Sequence, residues 1–446
     1  MKLYHPIAQK LIFPLVTTTT KRKFWRLYQA VRKTQYLSKE ELSALQLKKL
    51  RALLEHAYEN VPYYFQLFKK ANLKPSDIKT LSDLEKLPVT TKADLREAGM
   101  EKTSAKNHKD FQTYKDSTSG STGQPFQFLG EVRARDYSTA YTLRSWNWGG
   151  YEVGDPYLSL WGWHKYDWSN KLFNKLMRNI YISAYDLDHK FDDYVKILRS
   201  HKPKLLTAYT SSMVKMAKMM QAAGIDDITV PIMIPTSENL YPHLRQLLEE
   251  TFHGKVYDRY GSRELGAVAG ECQNQDGLHI NAETFIVEYV KTEQKVESGA
   301  KRLVITHLDK FGMPLIRYDT GDLGTPGSDK PCSCGLRLPK IGSIDGRVTD
   351  FIKMKNGVLV PYFFFNYSLE QYGPYIRQFQ LSQPNLERLI LKVVPTQDFS
   401  EDKQKELIER LEKALDHQTK VEIVLVKEIP LAKSGKFVTV SEKVPF

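Results

Sequence analysis

Apolar residues recur along this chain with two different periods, and the periods separate its helices from its strands. Leu47, Leu50, Leu53, Leu54 and Ala57 keep helical spacing behind Ser38-Lys-Glu-Glu41, which reads as a capping box. Pro62 ends or bends that helix. Tyr137, Ala140, Tyr141, Arg144 and Trp148 keep the same spacing further on. Short runs over residues 126–129, 205–209 and 230–235 predict strands, and residues 255–260 are another strand candidate. A helix with Met213, Met216, Met219 and Met220 follows the second of them, and its methionines suit core filling. Strands alternating with helices predict an α/β class, with a large layered α/β domain. Ligands of such domains gather beyond the carboxyl ends of the strands. Tyr209-Thr-Ser-Ser212 and Thr236-Ser-Glu238 occupy such places. Towards the C-terminus, residues 376–380, 386–394 and 421–426 read as strands. Between the last two, Ser400 caps a helix whose buried stripe is Leu407, Ile408, Leu411, Ala414 and Leu415. That predicts a small mobile α+β domain of about a hundred residues.

Composition changes this picture little. A chain of 446 residues with 41% hydrophobic and 11% aromatic residues is globular and long enough for two or three domains. No run of about eighteen apolar residues predicts a membrane span. The net charge of +13 favours acidic ligands or anionic surfaces, though a solvated basic surface reads the same way. No nucleic-acid motif accompanies the charge, so no nucleic-acid partner is expected. The three cysteines all lie between Cys272 and Cys334, which excludes a disulfide framework and points to a reducing, cytoplasmic compartment. His5, Pro6, Gln9, Lys10 and Pro14 break any signal-peptide core in the opening segment. Lys21, Arg22, Lys23, Arg26, Arg32 and Lys33 follow, interleaved with Phe24, Trp25, Leu27 and Tyr28. Such a stretch suits peripheral contact with the inner face of an anionic membrane, and equally a helix packed on its own domain.

The candidate chemistry begins at Asp116-Ser-Thr-Ser-Gly-Ser-Thr-Gly-Gln-Pro-Phe126. Hydroxyl residues and glycines fill every position of it from Ser117 to Gly123: Ser117, Thr118, Ser119, Gly120, Ser121, Thr122 and Gly123. Glycines let successive N–H groups turn into one anion-binding concavity, and the hydroxyls add neutral donors. A plain solvated turn has the same composition. No Gly-Lys-Ser/Thr follows, so this is not the Walker pattern. Cys272, His279, Cys332 and Cys334 form a second constellation. Three thiolates and one imidazole make a closed tetrahedral set for structural Zn²⁺, against the alternative of buried free cysteines.

Thr118-Ser-Gly-Ser-Thr-Gly-Gln-Pro125 resembles the phosphate loop of adenylate-forming enzymes, the large group that contains the acyl-CoA synthetases. Many members carry lysine after the proline. Phe126 stands there in this chain, as in phenylacetate–CoA ligase-like members. Further motifs follow in the family's order. Tyr260-Gly-Ser-Arg-Glu264 resembles the aromatic-Gly-x-x-Glu motif. The resemblance implies that Tyr260, Gly261 and Ser262 lie by the adenine and that Glu264 holds Mg²⁺ on the ATP phosphates. Ser237 and Glu238 join the nucleotide site. Ile316-Arg-Tyr-Asp-Thr-Gly-Asp322 is similar to the family's Thr-Gly-Asp segment, which implies Asp322 on the ribose hydroxyls; Asp319 stands where the wider family has arginine. Gly346-Arg-Val-Thr-Asp350 resembles the hinge, with Arg347 on the nucleotide and Thr349 departing from the usual aspartate. Lys436, in Pro430-Leu-Ala-Lys-Ser-Gly-Lys436, matches the lysine that enters the site during adenylation. Asn60-Val-Pro-Tyr-Tyr64 and Leu84-Glu-Lys-Leu-Pro-Val-Thr-Thr-Lys-Ala-Asp-Leu-Arg96 are similar to the lead-in of the phenylacetate–CoA ligase and CapK branch.

The resemblance implies a helical lead-in over residues 1–97, an adenylation core with a zinc knuckle over 98–345 and a lid domain over 346–446. It implies that a small carboxylic acid and ATP give acyl-AMP, and that an acceptor then takes the acyl group. Phe379-Gln-Leu-Ser-Gln383 and the short tail look more CapK-like, so the acceptor is open between CoA and a precursor of cell-surface polysaccharide. Trp161, Trp163, His164, Tyr209 and Ser211 are the positions expected at the acid pocket. Two other readings stand beside this one. One is an adenylyltransferase that places AMP on a hydroxyl or phosphate; the other is a non-catalytic, zinc-stabilised module of envelope assembly.

Overall fold

The computed structural model describes residues 7–15, 22–118, 126–161, 174–292, 296, 298–347, 351–356, 359–361, 372, 375–415, 417 and 419–430. The chain divides into two compact units. One takes residues 1–288, 304–320 and 326–343, the other 289–303, 321–325 and 344–446.

In the first unit, a helical stretch over residues 7–15, π-helical over Ala8–Ile12, leads into α1 (Phe24–Thr34) and α2 (Lys39–Asn60). Ser38 and Glu41 form the reciprocal capping box at the start of α2. Pro62 stops α2 and opens α3 (Pro62–Lys70) at a position where its missing N–H costs nothing. α4 (Lys92–Thr103) starts from a second capping box, Thr91 with Asp94. Leu50, Leu53, Leu54 and Ala57 of α2 bury their stripe against Tyr64, Phe68, Leu84, Leu87, Leu308 and Ile316. In α1, Phe24, Trp25, Tyr28 and Val31 are buried. The packed-helix alternative is what these side chains show, since the aromatic face of the basic stretch is spent inside its own unit.

The strands β1 (Thr113–Ser117) and β2 (Gln127–Glu131) form an antiparallel hairpin followed by α5 (Val132–Trp148). Next come β3 (Tyr157–Trp161), β4 (Asn179–Ser183), α6 (Phe191–His201), β5 (Leu205–Tyr209), α7 (Thr210–Ala222), β6 (Ile232–Thr236), α8 (Pro242–Phe252) and β7 (Lys255–Val256). These strands build a parallel sheet in the order β4-β3-β5-β6-β7. Met213, Met216 and Met220 of α7 are core residues packed with Leu158, Leu206 and Met233, as the spacing predicted.

The run over residues 255–260 is two strands rather than one. β7 belongs to the parallel sheet, whereas β8 (Arg259–Ser262) pairs antiparallel with β9 (Gly266–Glu271). With β10 (Leu278–Ile280), β11 (Phe285–Val290), β12 (Lys301–His307), β13 (Tyr318–Pro326) and β14 (Lys340–Arg347), these make a seven-stranded sheet in the order β11-β12-β13-β14-β10-β9-β8.

The second unit contains a hairpin, β15 (Phe351–Lys353) with β16 (Leu359–Pro361). It also has a three-stranded sheet of β17 (Ile376–Asn385), β18 (Arg388–Pro395) and β19 (Lys420–Leu425). α9 (Glu401–Ala414) connects the last two strands. Ser400 caps it by accepting from the Lys403 N–H, and Leu407, Leu411 and Leu415 are buried. Among the described residues, no helix is long and apolar enough to cross a membrane.

Candidate active site

The neck of the Ser/Gly loop is closed by backbone pairing. Thr118 N–H donates to the Phe126 carbonyl at 3.0 Å, and Phe126 N–H donates to Thr118 Oγ1 at 3.0 Å. The Thr118 hydroxyl thus helps to hold the hairpin shut, and Ser117 ends β1 opposite Gln127. Ser119, Gly120, Ser121, Thr122 and Gly123 lie outside the described residues. An ion pair between Asp116 and Arg263 at 2.9 Å ties this neck to the turn between β8 and β9.

That turn carries Tyr260-Gly-Ser-Arg-Glu264. Gly261 is required by close approach, because a Cβ there would lie 2.2 Å from the Gly266 carbonyl oxygen. Tyr260 is buried, and Glu264 is only 7% exposed. Glu264 accepts a hydrogen bond from the Tyr318 hydroxyl at 3.0 Å and pairs with the Lys92 ammonium at 3.4 Å. Burial pushes its carboxyl up, but the Lys92 charge, its own backbone N–H and the Tyr318 and Ser262 hydrogen bonds together hold it below the usual range. A buried, ionised carboxylate is the result. Lys310 lies beneath it, 2% exposed, donating to the Glu264 carbonyl at 3.1 Å and lying 4.8 Å from the Phe128 ring centroid. Burial lowers its ammonium to about 8, against the partly compensating charges of Glu264, Glu131 and Asp116.

The lead-in supplies Lys92. Thr90 pairs with the start of β13 through two backbone bonds, from its N–H to the Arg317 carbonyl and from the Asp319 N–H to its own carbonyl, both 2.9 Å. The Thr91 cap then starts α4, and Lys92 reaches Glu264 and lies 6.0 Å from the Phe126 ring centroid. Arg317, with φ of +47°, is a buried clamp that pairs with Glu288 at 2.8 Å and donates to the carbonyls of Glu85 and Leu87. Lys92, Lys310 and Tyr318 had no role in the sequence reading. Lys92 and Tyr318 stood inside quoted motifs; nothing local marks Lys310.

A second group forms where the parallel strands end. The register aligns Tyr209 with Thr236, and the Trp161 and Tyr209 rings meet edge-on at 4.9 Å. Ser237 takes a left-handed φ of +69°, which turns the chain so that Glu238 reaches the start of α7. Its carboxylate accepts from the Ser211 N–H at 2.6 Å and from Ser211 Oγ at 3.0 Å. Glu238 therefore caps a helix N-terminus, where a negative charge is favoured. Trp163 and His164 lie outside the described residues, as does Lys436. Asp322 is half-buried on β13 in the second unit, and Arg347 ends β14.

The third group is Cys272, His279, Cys332 and Cys334, whose ligand atoms all lie within 4.8 Å of one another. Cys272 and Cys332 sulfurs are 3.7 Å apart, and Cys334 Sγ is 3.5 Å from His279 Nε2. Tetrahedral Zn²⁺ with bonds of about 2.3 Å to sulfur separates its thiolates by roughly 3.8 Å, so the donor set fits. His279 Nδ1 donates to the Leu338 carbonyl at 3.1 Å, which directs the Nε2 lone pair at the sulfurs. Asn274 Nδ2 donates to Cys332 Sγ at 3.3 Å and the Leu336 N–H to Cys334 Sγ at 3.4 Å, as thiolates require.

Comparison with known proteins bears on the family likeness and the fold. The CapK C-terminal domain family matches residues 353–443. The chain is 27% identical over 380 residues to the phenylacetate-coenzyme A ligase of Pseudomonas putida, covering 81% of this chain and 79% of that one. It is 25% identical over 408 residues to protein CapK of Staphylococcus aureus, covering 89% and 88%. The chain is thus similar to phenylacetate–CoA ligases and to CapK. A crystal structure of 2-hydroxyisobutyryl-CoA ligase in the postadenylation state aligns with a TM-score of 0.74 at 20% identity, over 92% of each chain. The fold of this CapK-like, ligase-related chain is thus that of the adenylate-forming CoA ligases, and both the recognition and the α/β class read from the motifs hold.

Proposed function

We propose that this AMP-forming ligase activates a small carboxylic acid with ATP and passes the acyl group to CoA. The acid's carboxylate oxygen attacks the α-phosphorus and pyrophosphate leaves; the thiol then attacks the acyl carbon and AMP leaves. No nucleophilic side chain is needed, so catalysis is positioning and charge stabilisation. The observation that carries the reading is the ionised Glu264 held by Lys92 and Tyr318 beside the neck of the Ser/Gly loop. A bound Mg²⁺ would neutralise charge on the ATP phosphates, and Glu264 offers it a hard oxygen ligand. Lys92, an ammonium 3.4 Å from that carboxylate, would offer its charge to the phosphate oxygens. Ser117 to Gly123 would grip the phosphates, Tyr260, Gly261 and Ser262 the adenine side, and Asp322 the ribose. Ser237 and Glu238 would bound the same site, with Glu238 acting through its cap on α7. Arg347 and Lys436 would arrive with the lid domain, residues 346–446, as it swings between half-reactions.

Cys272, His279, Cys332 and Cys334 would hold Zn²⁺ in a closed structural set with no open position for chemistry. A precursor of cell-surface polysaccharide would be the alternative acceptor, with ATP and CoA drawn from the cytoplasm. A panel of carboxylic acids tests the proposal through pyrophosphate exchange and AMP release, with and without CoA. Exchange that depends on one class of acid, with thioester formed when CoA is added, is expected. Exchange without any acid, or a stable AMP adduct and no thioester, would overturn it.

A further inference from the structure

The first 39 residues hold nine lysines and arginines and no carboxylate, so most of the excess charge of +13 lies in under a tenth of the chain. The structure gives this stretch two faces. Ala8 and Phe13 of the helical stretch over residues 7–15 are buried, with the Phe13 ring stacked on Trp25 at 5.1 Å and Gln9 Nε2 donating to the Val153 carbonyl. The inner face is thus docked. On the outer face Ile7, Leu11 and Leu15, four residues apart, are 46%, 66% and 65% exposed. Among the described residues the two most exposed large aliphatics are this Leu11 and Leu15. Lys10 is exposed between them, and α1 exposes Lys23, Arg26, Arg32 and Lys33.

We infer that residues 7–15, with the basic side of α1, form a docking surface for an anionic lipid bilayer. Exposed aliphatics with Lys10 on the short element, next to the exposed cations of α1, match a bilayer interface, which takes the first into its acyl boundary and the second against its headgroups. A nucleic acid would use only the cations. A second copy of this chain would bring an equally basic stretch against this one, and like charges repel. The surface is independent of the ligase reading. It would hold the protein at a membrane while its active site works on soluble substrates.

The test is sedimentation of the full chain with phosphatidylcholine vesicles, with and without about one-third phosphatidylglycerol, at low and high salt. Binding to the anionic vesicles that weakens with salt is expected. Leu11→Ser with Leu15→Ser should weaken it about tenfold. Lys10→Gln with Arg26→Gln should weaken it about twenty-five-fold, at roughly fivefold per charge. All four side chains are exposed, so the variants keep their melting temperature and their acid-dependent pyrophosphate exchange. Equal binding to neutral vesicles, no binding, or binding untouched by the leucine changes would overturn the inference. So would a dimer dispersed by the leucine changes, or duplex DNA binding that needs the leucines.

Discussion

Replacing Lys310 with methionine should make the protein more stable and less active. The ammonium is buried and, among the described residues, has a single hydrogen bond, to the Glu264 carbonyl at 3.1 Å. Burial holds it at about 8 rather than the ordinary 10.5. A lowering of that size corresponds to roughly 3 kcal/mol against the charged form in the folded state. The unfolded chain binds the extra proton between these two values, so the wild type gains stability as pH rises from about 8 to 10.5. Below about 8 the penalty is fully present. Methionine has similar length, carries no charge and forfeits a hydrogen bond worth about 1 kcal/mol, leaving a net gain of roughly 2 kcal/mol at pH 7. In a protein of this size that is a rise of about 2 °C in melting temperature. The gain should shrink through pH 8–10.5 and reverse above it, because the neutral lysine then keeps its hydrogen bond at no cost. The same variant should lose more than tenfold in acid-dependent pyrophosphate exchange, since the cation beneath Glu264 and its hold on that backbone are both gone. Scanning calorimetry across pH, paired with exchange assays, reads both effects. A variant less stable than wild type at pH 7, or a difference that stays flat from pH 8 to 10.5, would refute the reasoning.

Two further changes test the framework around this site. Cys332→Ser should remove zinc from the purified protein by elemental analysis and lower the melting temperature by several degrees, because a structural site contributes its binding energy to folding; a wild-type protein without zinc would retire the site. Arg144 is fully buried and donates to Glu283, Asn281 and the Val31 carbonyl. Arg144→Met should cost about 3–5 kcal/mol in denaturant unfolding by stranding the Glu283 carboxylate. Adding Glu283→Gln should restore part of that loss; no recovery would mean that packing, not charge, holds the network.

Features decided within a few residues were legible in the chain. The capping box at Ser38 and Glu41, the Ser400 cap, the stripe of α2 and the methionine core of α7 all rest on short-range geometry. The cysteine–histidine set was legible for another reason: every cysteine of the chain belongs to it. Which sheet a strand joins is not local. Residues 255–260 read as one strand, yet Tyr257 N–H still pairs with Met233 on β6 while the Asp258 carbonyl already takes the Glu271 N–H on β9.

By itself, then, the sequence determined several of the helices and strands, the order of the motifs and the chemistry each motif can supply. Only the tertiary structure decided which charges surround Glu264, that Glu238 caps α7, and that Phe24, Trp25 and Tyr28 face inwards while Leu11 and Leu15 face out. Capping and periodicity are properties of neighbours along the chain. The ionisation of Glu264 depends on burial and on ammonium and hydroxyl groups brought from distant segments, Lys92 and Tyr318, and no local pattern encodes that sum.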